Sequence, residues 1–366
     1  MVGRTRNRVS PRMSGPRWFN NNPTVMIGEG QVPVNYSNCT DVTGPTDCDP
    51  FNVESFDSTG GVFNLAQSGP NQAQFVNYIV DGMRTSQNWG HVAVPGVPSD
   101  FVASTNAAAR TNPSRPYVDV PANLLDMRHA LESIQSQGLR TIDQVYNAGS
   151  RWLYNQFVIR PLVSDVVKMA FASDQINRRI ADIQRLHGDK GYRKTVQTFA
   201  GAVSGTSAPF LQSAGALLRA SNRYTTMTVM KTHIRWAANN PGPAPGPRIL
   251  NGMARRAVQG GTIDFSTLWE AVPWSWAIDW FSNIGEYLVA HRNIIPAHIV
   301  GVYPMVHTKT VNEFTAIPVT GGFMTAGRCV RESKRRSVGS VSIDAHFNFL
   351  SGSQMGVLAS LAATRR

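Results

Sequence analysis

This chain lacks most of what would mark it as a disulfide scaffold, a membrane protein or an enzyme. Its three cysteines, Cys39, Cys48 and Cys329, cannot all pair within one chain, and no C-x-x-C or paired Cys/His spacing suggests zinc. Cys39 and Cys48 flank a Gly-Pro turn and could bridge a hairpin, but free thiols in a reducing compartment are the expected state. No apolar run reaches the length of a bilayer span, because Glu270, Asp279 and Glu286 interrupt the best candidate. The basic N-terminus has no apolar signal segment, so synthesis in the cytoplasm is expected. A P-loop, a G-x-S-x-G elbow, an H-E-x-x-H helix and a Rossmann glycine fingerprint are all missing. His291, His298 and His307 have no metal-ligand spacing, and no aspartate pair sits at a turn as a polymerase would need. The expectation is a protein without catalysis, metal, cofactor or small-molecule substrate.

Acidic residues are absent where the chain is most basic. The 366 residues carry a formal net charge of +12. Residues 190–260 hold ten Lys/Arg and no Asp or Glu, and residues 1–20 hold five arginines and no acid. Residues 21–120 run the other way, with three arginines against nine acids. A solvated surface ordinarily mixes signs, so 71 residues free of acid read as a footprint for a polyanion. The candidate RNA contacts are Arg178, Arg179, Arg185, Lys190, Arg193, Lys194, Arg219, Arg223, Arg255, Arg256, Arg335 and Arg336, with Tyr192, Tyr224 and Trp236 as stacking candidates. The acidic 21–120 segment is the candidate protein-binding surface.

Periodicity divides the chain into alternating β and α stretches. Residues 1–20 show little pattern and read as a basic arm. Residues 21–120, 190–248 and 297–350 are rich in turn residues and short alternating runs. The clearest runs are 31–36, 74–80, 91–94, 195–203, 224–236, 300–306, 313–319 and 328–342. Gly321-Gly322 is a turn candidate, and the Pro/Gly run 240–247 reads as a stiff connection between lobes. Residues 121–189, 249–296 and 351–366 carry helical spacing, including Ile176, Ile180 and Ile183 up to Gly188. The expected class is α+β, a helical region and an antiparallel β region each built from discontinuous segments.

Four of the eight tryptophans fall in 262–292, where Trp269, Val272, Trp276, Trp280 and Ile284 share one helical face. Glu270 and Asp279 sit among these rings. They read either as acids paired with arginines or as a catalytic pair, and structural pairing is the expected role. A second stretch, 150–171, places Trp152, Leu153 and Phe157 on one face before Pro161, with Arg151 and Arg160 available to neutralise the acids.

These two stretches carry a resemblance. R-W-L-x-x-Q-F-x-x-x-P-L-x-S-D at 151–165 includes Arg151, Trp152, Phe157, Arg160 and Asp165, and L-W-E-x-V-P-x-S-x-x-x-D-W at 268–280 includes Trp269, Glu270, Asp279 and Trp280. Both resemble the maturation (A) proteins of the small single-stranded RNA bacteriophages, of levivirus type. The motifs cover less than a tenth of the chain and concern its core. The resemblance implies an elongated molecule with a helical bundle at one end and a β-sheet region at the other. It also implies a single-copy virion component that replaces a coat-protein dimer, holds the genomic RNA, attaches the particle to a bacterial pilus and enters with the RNA. A cellular, non-enzymatic RNA-binding protein is the alternative that composition leaves open.

Overall fold

The computed structural model describes residues 2–19, 30–43, 49–66, 73–86, 89–117, 172–213, 216–260, 278–279, 282–342 and 354–357. They form an α+β fold dominated by antiparallel sheet. Six strands come first: β1 (Val2–Ser14), β2 (Arg17–Phe19), β3 (Gly30–Thr43), β4 (Phe51–Gly60), β5 (Val62–Ala66) and β6 (Ala73–Ile79). Helices α1 (Asp100–Thr111) and α2 (Ala172–Leu186) precede β7 (Tyr192–Ser207), β8 (Phe210–Ser213), β9 (Ala216–Arg219) and β10 (Asn222–Ala238). Then follow α3 (Pro247–Gln259), α4 (Ile284–Ala290), β11 (Ala297–Phe314), β12 (Ile317–Val319), β13 (Gly322–Met324) and β14 (Gly327–Arg336). A seven-stranded sheet has the order β1-β3-β4-β14-β11-β10-β7, a five-stranded sheet the order β12-β13-β5-β6-β2, and β8 pairs with β9.

The first correction is the N-terminal arm. Residues 2–14 are an edge strand, paired antiparallel with β3 from Val2↔Thr43 to Ser14↔Gly30. Alternation of Arg4, Arg6 and Arg8 with Thr5, Asn7 and Val9 carries no hydrophobic signal, so the strand is silent in the sequence. The pairing shifts register at Ser10/Pro11, where Pro11 faces Pro33 and neither can donate an N–H. Arg12 then reaches the Ser58 carbonyl at 3.1 Å, and Arg17 donates to the Tyr78 hydroxyl at 3.2 Å.

The chain forms two compact units. One comprises Met1–Pro98, Gln197–Thr232 and Tyr303–Val338; the other Ser99–Val196, His233–Val302 and Gly339–Arg366. Three of the five divisions fall inside β7, β10 and β11 rather than at the expected composition changes.

In the first unit, both larger sheets feed one core. Val32, Val34, Phe56, Phe314 and Cys329 from the seven-stranded sheet pack with Phe63, Phe75, Tyr78, Ile79 and Met324 from the five-stranded one. Trp89 stacks on Phe314 with 5.9 Å between ring centroids and gives its indole N–H to the Gly82 carbonyl. The Cys329 thiol is fully buried 3.5 Å from the Met83 sulfur, and burial pushes its titration far up. Residues 91–94, expected as a strand, are irregular; His91 instead bonds Thr310 at 2.8 Å. The period-two run in β10 turns Thr226, Thr228, Met230 and Thr232 inward. Buried threonines need partners, and Thr226 finds one in Thr310 at 2.8 Å and Thr228 in Thr308 at 3.2 Å, while among the described residues the Thr232 hydroxyl has none. Gly321, at φ +82°, makes the turn between β12 and β13, as Val319 pairs with Gly322.

The second unit holds the helices. Ser99 caps α1 by accepting from the Val102 N–H at 3.3 Å, and Ala103, Ala107 and Ala108 are buried. Residues 99–111 were expected in the β region; the small, weakly hydrophobic alanines hide an interior face. Asn112 ends α1 and donates to the Val289, Ala290 and Arg292 carbonyls, each at 2.9 Å. α3 starts at Pro247 and stops at Gly260, whose φ of 63° lets its N–H reach the Arg256 carbonyl. The run 240–247 therefore joins β10 to α3 within one unit, which corrects its reading as a connection between lobes. The helical run of isoleucines ends at Leu186, with Ile183 and Leu186 buried.

Candidate nucleic-acid interface

Eight of the twelve candidate contacts lie in the second unit. α2 and α3 pack together, sharing a core of Ile183, Leu186, Leu250, Ala254 and Ala257. Their apolar stripes point inward, so helical spacing sends Arg178 and Arg185 on α2 and Arg255 and Arg256 on α3 to solvent. Lys190 and Lys194 are exposed around the start of β7. Arg185 makes only a loose i,i+3 pair with Asp182, at 3.5 Å, and remains mostly exposed. Arg193 donates its Nε to the Lys190 carbonyl at 3.1 Å, which fixes the turn that carries both.

Arg179 is different. It donates to the Arg115 carbonyl at 2.8 Å and the Asn112 carbonyl at 3.3 Å, and burial lowers its pKa. One residue from Arg178, it falls on the inward side of α2 and serves the fold. Two stacking candidates fail for the same reason. Tyr192 and Trp236 are buried, the Trp236 indole bonding Thr111 Oγ1 at 3.1 Å. Tyr224 is half-buried, its hydroxyl within 2.6 Å of where a Gly205 Cβ would stand.

The other four candidates, Arg219, Arg223, Arg335 and Arg336, belong to the first unit. Arg336 closes on Phe51, its guanidinium carbon 4.6 Å from the ring centre, and donates to the Asp49 carbonyl at 2.7 Å. Cross-strand register puts Arg4, Asp41, Phe51 and Arg336 in one row, and Arg6, Cys39, Val53, Lys334 and His307 in the next row on the same face. Arg4 holds Asp41 through two hydrogen bonds of 3.0 and 2.6 Å, and Arg6 adds a third at 3.0 Å. Those hydrogen bonds hold the Asp41 carboxyl below its usual range. Burial works to raise Glu332, but Lys309 at 3.0 Å and Lys334 at 3.3 Å outweigh it and keep the carboxyl low. Glu54 likewise faces Arg331 at 3.4 Å. Two acids of the negative 21–120 segment, Asp41 and Glu54, are thus met by arginines from β1 and β14.

No protein-family model matches this chain, and no curated protein matches it.

Arg4 and Arg6 are cations that sequence reasoning placed in a separate arm and did not count as sheet residues. The two-residue spacing of these arginines is no strand signal by itself, yet a strand converts it into a row on one face. Of the core motifs, Arg151, Trp152, Phe157, Arg160, Asp165, Trp269, Glu270 and Trp280 lie outside the described residues. Asp279 is described, and it accepts from the Gly285 N–H at 3.0 Å. Among the described residues no cluster of three His, Cys, Asp or Glu could hold a metal, and no helix is long and apolar enough to cross a membrane.

Proposed function

We propose that this protein is an RNA-anchoring virion component of the maturation type. It would bind the genomic RNA of a small single-stranded RNA phage, take the place of a coat dimer in the shell and adsorb the particle to a pilus. The proposal carries the family architecture with it, a helical bundle and an antiparallel β region as the two regions. The observation that carries the RNA half is the set of exposed cations on one packed helix pair and the adjoining turn: Arg178, Arg185, Lys190, Lys194, Arg255 and Arg256. Such a surface binds phosphates through counterion release, and shape or unstacked bases then select the site. The two sequence motifs support the phage assignment, and the lack of any catalytic constellation in the sequence supports a binding role.

The test is RNA affinity of the nuclease-treated protein across a salt series. Neutralising Arg178, Arg185, Lys190, Arg255 and Arg256 to glutamine is expected to flatten the log–log salt slope by up to about 3.5 for single-stranded RNA. Arg179 is left intact because its loss acts on folding. A folded wild-type protein that fails to bind RNA at low salt would sink the proposal.

A further inference from the structure

The end of the seven-stranded sheet in the first unit holds a groove of about 520 Å3. Val42, Pro50 and Phe51 contribute its apolar walls, while Arg4, Arg335 and Arg336 supply cations. The register explains how one groove gathers them. Arg4 and Arg336 share the row that contains Phe51, and Arg335 lies in the neighbouring row of Thr5, Thr40 and Asn52, which points to the opposite face. The arginines therefore bracket the sheet end from both sides.

We infer that this groove takes one unstacked nucleotide of a single-stranded RNA, a contact distinct from the helical surface and resting on the RNA-binding reading. Its volume falls in the ordinary range for small-ligand sites, and mostly apolar walls with a few charged groups suit a flat base joined to a phosphate. Arg336 already lies over the Phe51 ring, which makes a stacking pair of the kind unpaired bases use. Arg4 commits two of its five N–H groups to Asp41, which fixes the guanidinium and leaves the others for an anion. Arg6 and Lys334, one row further along the same face and about 7 Å away, continue the positive track for the strand that leaves the groove. An acidic peptide would satisfy the arginines but has no use for the stacked pair.

The experiment uses the full chain with a hexauridylate carrying one 4-thiouridine, an abasic ribose-phosphate hexamer and a hexaglutamate peptide. Irradiation is expected to join the thiouridine to the peptides holding Phe51 or Arg335. Phe51→Leu, which keeps apolar bulk and loses the ring, is expected to weaken hexauridylate about tenfold and leave the abasic hexamer unchanged. Arg335→Gln, at an exposed position, weakens both oligonucleotides, so the groove stays testable even if Phe51→Leu proves unstable. Cross-links confined to α2, α3 and the start of β7, with both variants binding as wild type, overturn the groove and leave the RNA reading standing. Hexaglutamate displacing the oligonucleotide, with Phe51→Leu indifferent, assigns the groove to acidic peptides and overturns it too. Absence of any oligonucleotide binding removes both readings.

Discussion

At the scale of single residues, neighbours in sequence do opposite jobs. Arg178 faces solvent while Arg179 is tied to two carbonyls. Arg179→Gln is expected to cost about 1–3 kcal/mol in urea unfolding, the usual penalty for stranding buried hydrogen-bond groups. The same change should leave the salt slope of RNA binding intact, and a flattened slope would return Arg179 to the interface. Glu286 makes a second case. Burial raises its carboxyl above the ordinary carboxylate range, and the nearby Asp279 adds to the shift, although Asn106 donates a hydrogen bond to it. A carboxyl with a raised folded pKa favours the folded state most below its unfolded value, about 4.3, and that advantage is lost as pH rises through the folded value. Glu286→Gln removes this titration. Its stability should fall less than that of wild type as pH rises from about 4 through the raised folded value, measured by urea midpoints. Equal slopes for the two proteins would mean that Glu286 titrates alike in both states.

Elements were legible to different degrees. β10 declared itself through strict alternation, and α2 through isoleucines at helical spacing, because in both the apolar pattern matches the buried face. β1 did not, since a charged edge strand gains its order from backbone pairing with β3 rather than from burial. α1 was hidden by alanines and threonines, which pack closely without a strong hydropathy contrast. The candidate interface was half legible: charge located the helices, but only the structure separates Arg178 from Arg179 or joins Arg4 to Arg336 across four strands. The short α4 depends on a local contact that no pattern encodes. A Cβ on Gly285 would stand 2.6 Å from the Asp279 Oδ2. Gly285→Ala is therefore expected to lower stability by about 1–3 kcal/mol, as overpacking does. A thermal midpoint equal to wild type would show that the Asp279 carboxylate swings away freely.

The molecule as a whole is built from returns of the chain. Each unit draws on three separated segments, and β7, β10 and β11 each pass from one unit into the other. Composition could not place those crossings, because a strand keeps its alternation while its surroundings change. One buried side chain offers a way to time the opening of the first unit. Cys329 lies in β14 between the registers of β4 and β11, has no exposed surface and sits against Met83. Only a thiolate reacts with disulfide reagents, and burial suppresses both its ionisation and its access. With Cys39 and Cys48 changed to serine, Cys329 becomes a chemical stopwatch: its modification should follow the rate at which the central strands part, rising with denaturant as unfolding does. Instant modification in native buffer would show a sheet that breathes open on its own. Slow modification that quickens only with denaturant would time the moment at which this protein lets go of its shape.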